Sequence, residues 1–143
     1  MNRILFSSKK HDYETPTEVY NPLNKEFKFT LDPCCTKETA KCTKYYTKEE
    51  NGLEQNWEGE RVFVNPPFGR QIKSWVEKCY YEAQKKDTKV VMLIPARTDT
   101  EYFHNFIYNG KAKEIRFIKG RVTFLQNEKR VGSATFPSMI VVF

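Results

Sequence analysis

The segment Asn65-Pro66-Pro67-Phe68 combines residue types that can hold a planar group with an exocyclic amine. The amide oxygen of Asn65 and the backbone carbonyl of Pro66 can both accept hydrogen bonds from an NH2 group. Pro67 fixes its own φ angle and biases Pro66 toward extended conformations, which holds both acceptors in place. Phe68 offers a flat apolar ring for stacking. The alternative interpretation is a turn that ends a strand and places Phe68 in the core.

The elements around this tetrapeptide predict where it lies. Residues 61–64 form a short apolar run typical of a buried strand, and apolar residues at spacings of three and four predict a helix over 72–83. Lys89–Pro95 is almost wholly apolar, as expected of a central strand in a parallel sheet. The other predicted elements are strands over 27–31, 44–47, 114–118 and 138–143, and a helix over 100–108.

Alternating strands and helices predict an α/β fold. We expect one Rossmann-like domain over residues 12–143, with a mostly parallel sheet and helices on both faces, after a flexible tail over residues 1–11. Its first helix should have Thr15 as N-cap and Pro16 at the first helical position, and should end near Asn24.

The charge, the apolar runs and the cysteines of the chain favour some classes of protein over others. The chain has 143 residues, a net charge of +6 and a pI near 9.1, which favours a polyanionic partner. No apolar run is long enough to span a membrane, and the apolar part of the N-terminus is too short for a secretory signal, so we expect a cytoplasmic protein. The spacing of the four cysteines lacks a CxxC pair, which predicts buried free thiols and no metal site.

Polar residues follow two predicted strands besides the one that ends at Asn65. The first group, Asp32-Pro33-Cys34, would line the same crevice as Asn65 if the two strands are neighbours, although it is equally typical of a turn. The second group, Glu49 to Asn51, offers a carboxylate for ribose hydroxyls. Its alternative interpretation is a solvated acidic turn.

A basic stretch near the C-terminus is the candidate nucleic-acid surface. Lys119, Arg121, Lys129 and Arg130 surround Phe124, and cations around an exposed aromatic ring suit nucleic acid. The alternative is a solvated hairpin whose charges protect its edge. Turn residues 126–128 favour a hairpin here. Arg97, after the strand that ends at Pro95, could contact phosphate or pair with a neighbouring carboxylate.

The tetrapeptide resembles the catalytic motif of amino-methyltransferases that use S-adenosylmethionine, and the ordered motifs of the whole chain resemble the phage-type DNA N-6-adenine methyltransferases. The most specific matches are LDPC at residues 31–34 and PARTDT at residues 95–100. The other matching segments are residues 13–16, 29–30, 45–47, 52–53, 57, 62–69, 91–94, 116–121 and 136–138.

This resemblance implies a methyltransferase-type sheet, S-adenosylmethionine as cofactor, DNA as partner and the cytoplasm of a phage host as location. It assigns the tetrapeptide to the target adenine. The residues that it assigns to the cofactor are Thr15, Pro16, Asp32, Pro33, Cys34, Glu49, Asn51 and Asn65. The family pattern leads us to expect Asp at position 51, and the usual glycine-rich loop after the first strand is missing.

The implied reaction is methyl transfer to N6 of an adenine flipped out of DNA. No separate recognition domain is visible, so we expect either a short recognition sequence or a homodimer that supplies the missing surface. Two alternatives remain open. One is methylation of another amine, such as cytosine N4, RNA adenine or a protein Gln, and the other is a nucleic-acid-binding protein on a weakened methyltransferase fold. A small structural or interaction protein agrees poorly with the ordered motifs.

Overall fold

The computed structural model describes residues 13–126 and 129–143. Its helices are α1 (Thr17–Phe27), α2 (Ile72–Glu82) and α3 (Glu101–Phe106), and a short 3₁₀ turn covers Gly52–Glu54. Its strands are β1 (Leu31–Asp32), β2 (Lys44–Tyr45), β3 (Arg61–Val64), β4 (Lys89–Pro95), β5 (Glu114–Phe117), β6 (Thr123–Gln126), β7 (Lys129–Ser133) and β8 (Ser138–Val142). None of the helices in these described ranges combines the length and apolar character that crossing a membrane requires.

A mixed sheet of six strands forms the centre of the fold, in the order β2-β1-β3-β4-β8-β5. Strands β2, β1, β3 and β4 run parallel, whereas β8 is antiparallel to both β4 and β5. The expected mostly parallel sheet is therefore found only on the β2-to-β4 side. The chain reaches β8 through the hairpin β6–β7, because antiparallel neighbours need no helical crossover between them.

Side chains alternate between the two faces of the sheet. Val62 and Val64 of β3 belong to one buried cluster, which also contains apolar residues of α2 and α3, whereas Phe63 belongs to a second cluster. That second cluster contains apolar residues of α1 and of the hairpin β6–β7. The fold therefore differs from the expected Rossmann-like arrangement with helices on both faces, because a hairpin shares the second face with one helix.

Helix α1 differs from its predicted bounds at both ends. Pro16 takes the N-cap position without a side-chain cap hydrogen bond, so the prediction of Thr15 as N-cap is wrong. The helix continues past Asn24 to Phe27 and ends at Lys28, whose φ of 55° is left-handed. The alternation of residues 27–31 predicts a strand, but the packing of Tyr20 in α1 against Phe63 favours the longer helix. Strand β1 is therefore only two residues long.

The strongly patterned elements agree with prediction. Strand β4 has the predicted bounds, and α2 ends one residue before its predicted end. The basic stretch forms the hairpin β6–β7, whose predicted turn includes residues 127 and 128, outside the described residues. The predicted tail over residues 1–11 also lies outside the described residues.

A buried carboxylate joins α2 to the segment after the 3₁₀ turn. Glu82 Oε1 accepts a hydrogen bond of 2.7 Å from the backbone N–H of Trp57, and Oε2 lies 2.7 Å from Lys85 Nζ and 3.2 Å from Lys78 Nζ. Burial opposes ionisation, but these hydrogen bonds outweigh it and lower the pKa of Glu82. The charged carboxylate thus helps to fix Trp57 against the helix.

We expect Glu82→Gln to lower the free energy of unfolding by about 1–3 kcal/mol at pH 7, because both lysines lose their buried partner. A carboxyl with a lowered folded-state pKa stabilises above its unfolded pKa, and that stabilisation is lost as pH falls through the folded value. The difference from the wild type should therefore shrink below about pH 4.

Denaturant unfolding at pH 7 and pH 3 measures this effect. Glu77→Gln is the matched control, since Glu77 is an exposed carboxylate on the same helix and should change stability by less than about 0.5 kcal/mol. An equal loss of stability in Glu82→Gln at both pH values would contradict the assigned role of the charge.

Candidate functional site

A cavity of about 650 Å³ lies at the carboxyl ends of the parallel strands. We call it the large cavity. Its lining residues are 33–38, 47–49 and 51–53, which follow β1 and β2, together with Pro67, Gln71 and Trp75, which follow β3. Open α/β sheets bind ligands at this edge, and the volume is typical of small-molecule sites.

A second space, the small pocket, adjoins the large cavity. The two share Cys34 and Cys35, and the small pocket holds about 20 Å³, which is room for roughly one water molecule or one amine group. Its other lining residues are Tyr13, Glu14, Thr15, Asp32, Thr39, Lys41, Phe63 and Asn65. The ligand site therefore has a roomy part and a narrow polar part that meet at the loop after β1.

The residues predicted for a cofactor divide between these two spaces. Pro33, Cys34, Glu49 and Asn51 line the large cavity, while Thr15, Asp32, Cys34 and Asn65 line the small pocket. Pro16 is buried at the start of α1 and lines neither space. Because β1 pairs directly with β3, Asp32 and Asn65 share one pocket, as the sequence predicts for neighbouring strands.

Asn65 lines the small pocket and has one acceptor atom that no described residue uses. Its Nδ2 donates a hydrogen bond of 3.0 Å to the backbone carbonyl of Tyr13, which fixes the plane of the amide. The other amide atom, Oδ1, is buried and has no hydrogen-bond partner within residues 13–126 and 129–143. A buried acceptor without a partner costs free energy, so this oxygen is suited to a ligand that brings a donor.

The segment Tyr13 to Thr15 connects three parts of the site. The Tyr13 carbonyl holds Asn65, and the backbone of Glu14 pairs with Leu125 of β6 in both directions, at 2.7 and 3.0 Å. The Glu14 side chain accepts from Lys41 Nζ at 2.7 Å, in a partly buried ion pair. One short segment therefore contacts the tetrapeptide, the hairpin and the loop after β1.

Thr15 is placed at the pocket and not at a helix cap. Its side chain is almost fully buried, and its Oγ1 has no hydrogen-bond partner in the described part of the chain. A hydroxyl can donate and accept, so Thr15 offers a second unused polar atom beside Asn65.

Asp32 organises the loop between β1 and β2. Its Oδ2 accepts from the backbone N–H of Lys41 at 3.0 Å and its Oδ1 from that of Cys34 at 3.3 Å. Burial raises the pKa of Asp32 to about 6, and these hydrogen bonds limit the rise. Because both oxygens already accept from the backbone, the carboxylate holds the loop that lines both spaces.

The turn at Asn51 and Gly52 forms part of the wall of the large cavity. Asn51 adopts the left-handed conformation with φ of 58°, which Asn tolerates better than most residues, and its side chain accepts from the N–H of Leu53. A Cβ atom at Gly52 would lie 2.1 Å from the Pro33 carbonyl oxygen. The carbonyl of Gly52 accepts from Trp57 Nε1 at 3.1 Å, which fixes the turn to the core.

The tetrapeptide is more buried than its predicted roles require. Pro67 lines the large cavity, and Pro66 is buried. Phe68 is 7% exposed, and its ring contacts the rings of Phe124 and Phe136 edge-on at 5.4 Å each, and that of Tyr13 at 6.0 Å. In this structure Phe68 therefore packs within the second cluster, and its faces are covered.

The predicted DNA-contacting cations lie on the surface at or next to the hairpin. Lys119, Arg121, Lys129 and Arg130 are exposed, and Arg130 pairs with Glu18 at 3.0 Å. Phe124 is 1% exposed, so the expectation that an exposed ring interleaves these cations is wrong. Strand alternation turns Phe124 toward the sheet, where it packs in the second cluster.

Arg97 is exposed at the end of β4 and lies over a ring of the second cluster. Its guanidinium carbon is 5.8 Å from the centroid of Phe136, a cation–π distance. Arg97 thus contacts a ring that also packs against Phe68. Its charge is available on the same side of the molecule as the covered Phe68 ring.

The thiols near the site are not activated. Burial raises the pKa of Cys34, Cys35 and Cys79 well above the usual thiol range and that of Cys42 to about 11. Thiols with raised pKa values stay protonated at neutral pH and are poor nucleophiles. Cys34 and Cys35 therefore act as wall residues.

Sequence reasoning missed several residues that shape the site. The Tyr13 carbonyl, the Glu14–Lys41 pair and the Trp57–Glu82 contact involve partners far apart in the chain. No local pattern signals such contacts. Trp75 is one of the apolar residues whose spacing predicts α2, and its position on the cavity wall follows from packing.

The fold and the site define an α/β protein with a two-part ligand site at the carboxyl ends of parallel strands. Comparison with known families then identifies the family to which the chain belongs. The family model for DNA N-6-adenine-methyltransferase (Dam) matches residues 4–143, so the chain belongs to this family.

Two relatives support this assignment. The chain is 30% identical over 145 residues to a DNA N-6-adenine-methyltransferase of Haemophilus phage HP1 (strain HP1c1), covering 96% of this chain and 82% of the relative. It is 32% identical over 113 residues to a DNA N-6-adenine-methyltransferase of Escherichia phage T1, covering 78% of this chain and 46% of the relative.

We expect Gly52→Ala to lower the free energy of unfolding by about 2–3 kcal/mol, because the new methyl group overlaps the Pro33 carbonyl and the turn must move. Gly59→Ala is the matched control, since Gly59 has φ of 82° but no atom within 4 Å of an added Cβ. It should cost about 1–2 kcal/mol from backbone strain alone. Denaturant unfolding compares them, and a smaller loss for Gly52→Ala would contradict the close approach.

Proposed function

We propose that this chain transfers a methyl group from S-adenosylmethionine to the N6 amine of adenine in DNA. The observation that carries the proposal is the buried Oδ1 of Asn65, an unpartnered acceptor in a pocket of amine size, in a chain that belongs to an adenine-N6 methyltransferase family. Both named relatives are phage proteins, and we extend the proposal to a phage or prophage origin.

The large cavity fits the proposed cofactor. Its volume suits a ligand of nucleoside size, and its lining offers apolar surface at Leu53 and Trp75 with a carboxylate at Glu49. Glu49 can accept from ribose hydroxyls, and Asn51 lies on the same turn. Bound S-adenosylmethionine would supply an electrophilic methyl group on its sulfonium. Cys34 and Cys35 mark where cofactor and acceptor amine would meet.

Asn65 supports the reaction by holding the target amine. The lone pair of the adenine amine is delocalised into the ring, so the free amine is a poor nucleophile. Hydrogen bonds from the amine to Asn65 Oδ1 and to the Pro66 carbonyl would favour a tetrahedral nitrogen with a localised lone pair. Because Tyr13 fixes the amide, the acceptor needs no reorganisation when the base arrives, and positioning is the main catalytic device.

The target base must leave the DNA stack to reach this pocket. We retain Phe68 as the ring on which the base stacks. Since Tyr13, Phe124 and Phe136 cover Phe68 in this structure, stacking requires these rings to shift away from the tetrapeptide, and the hairpin would move with Phe124. Arg97 and the hairpin cations would contact the phosphates on that side.

We expect Asn65→Ala to lower kcat by about 100-fold, since one preorganised hydrogen-bonding partner of the reacting group is lost. The measurement is methyl transfer from labelled S-adenosylmethionine to unmethylated DNA, followed by nucleoside analysis for N6-methyladenine. Asn56→Ala, which removes an exposed amide elsewhere, should keep wild-type turnover.

Unchanged turnover in Asn65→Ala would contradict this account of the site. N4-Methylcytosine in the product would support the alternative in which the methylated amine is that of cytosine. No transfer by the wild-type protein to DNA or RNA would refute the proposed activity and favour a nucleic-acid-binding protein on this fold.

The hairpin cations, defined as the exposed Lys119, Arg121, Lys129 and Arg130 at or next to the hairpin, give a separate prediction about DNA binding. Replacing Lys119, Arg121 and Lys129 together with Gln should reduce the slope of log K against log[salt] for DNA binding by about 2–3, because each phosphate contact releases counterions. Arg130 is left in place because it pairs with Glu18. DNA-binding titrations at several salt concentrations measure the slope.

A control of equal charge change replaces Lys86, Lys111 and Lys113, three exposed lysines outside the hairpin, with Gln. Its salt slope should stay close to that of the wild type. Equal slopes for both triple variants would mean that the hairpin is not the DNA-contacting surface.

A further inference from the structure

Trp75 of α2 has a buried polar atom that no contact within the protein uses. Its side chain is 5% exposed and lines the large cavity, but the indole Nε1–H has no hydrogen-bond partner among the residues that the structure describes. An indole nitrogen can only donate a hydrogen bond. Because native proteins leave few buried donors unpaired, this donor on a residue of the cavity wall is suited to an acceptor that a ligand brings.

The neighbouring tryptophan shows that this is not a general property of the cluster. Trp57 stacks on Trp75, with ring centroids 6.3 Å apart and planes at 21°, and both belong to the first cluster. Trp57 Nε1 nevertheless donates to the Gly52 carbonyl at 3.1 Å. Within residues 13–126 and 129–143, the two stacked indoles therefore differ, because the one on the cavity wall lacks a hydrogen-bond partner and the other has one.

The surroundings of Trp75 suit one end of the cofactor better than the other. Leu53 packs against the cluster that contains Trp75, and both residues line the cavity as apolar surface. The charged lining residues, by contrast, are exposed: Lys37, Glu38, Lys48 and Glu49. A buried apolar wall favours a flat ring, and exposed charges favour the charged amino-acid end.

We propose that Trp75 Nε1–H donates a hydrogen bond to a ring nitrogen of the cofactor's adenine, and that Trp75 is a specificity-determining residue for a purine in the large cavity. The inference rests on the proposed function, which supplies the cofactor. Ring nitrogens of adenine are acceptors, whereas its exocyclic amine carries donors and would oppose the indole N–H.

Calorimetric binding to the full chain tests this assignment without catalysis. The probes are S-adenosylhomocysteine and 5′-methylthioadenosine, which share the adenosine part but differ in the amino-acid part. Trp75→Phe keeps an aromatic ring on the wall and removes the N–H. We expect about tenfold weaker binding of both probes, as for the loss of one buried hydrogen bond.

Each outcome decides between explanations. An affinity for 5′-methylthioadenosine within twofold of the wild-type value would overturn the inference, because the purine end would not use the indole. Weaker binding of S-adenosylhomocysteine alone would place the acceptor at the amino-acid end and would also overturn it. If the wild-type protein bound neither probe, the proposed function would fail first, and this inference with it.

Trp57→Phe provides a matched control for stability. Both variants lose the same part of an indole, but only Trp57→Phe also breaks a hydrogen bond within the protein. Thermal unfolding of the unliganded proteins should therefore show a larger decrease in Tm for Trp57→Phe. An equal or larger decrease for Trp75→Phe would mean that its N–H already has a protein partner, which would overturn the inference.

Discussion

The hydrogen bond from Asn65 Nδ2 to the Tyr13 carbonyl is the contact on which the candidate site depends. It uses the donor side of the amide, and the acceptor oxygen of this pocket-lining residue has no partner among the described residues. The same contact attaches the segment before α1 to the end of β3. Glu14 then extends that attachment to Lys41 in the loop after β1 and to Leu125 in the hairpin. A change at any of these partners would disturb the position of the Asn65 amide, because all of them contact the same short segment.

The large cavity depends on a different set of contacts from the small pocket. Part of its wall is the turn at Gly52, which contacts with Pro33 and Trp57 hold in place. Gly52 lies too close to the Pro33 carbonyl for any side chain, and its own carbonyl accepts from Trp57. Glu82 accepts from the N–H of Trp57 and is itself held by Lys78 of α2 and by Lys85, which follows the helix. This chain of contacts joins the first cluster to the cavity, so the shape of the ligand site follows from core packing and not from a glycine-rich loop.

Charge and aromatic packing are separated on the hairpin. Its exposed cations face solvent, where they can meet phosphate, while Phe124 turns inward against Phe68. Because the ring proposed for base stacking is covered in part by the hairpin that carries Lys129 and Arg130, the proposed DNA binding and exposure of the site both involve this hairpin. The backbone pairing of Glu14 with Leu125 means that movement of this element would also act on the segment that holds Asn65.

Local patterns in the sequence determined much of the framework. The apolar run of β4, the periodicity of α2 and the polar residues at the ends of β1 and β3 predicted which segments pack and where a ligand would bind. Tertiary structure alone decided the rest: Thr15 lines a pocket instead of capping a helix, Phe124 is buried, and the indole N–H of Trp75 has no partner among the described residues. The physical reason is the distance along the chain between interacting residues. Periodicity reflects near neighbours in the sequence, whereas the partner of a buried polar atom or ring comes from a distant part of the chain.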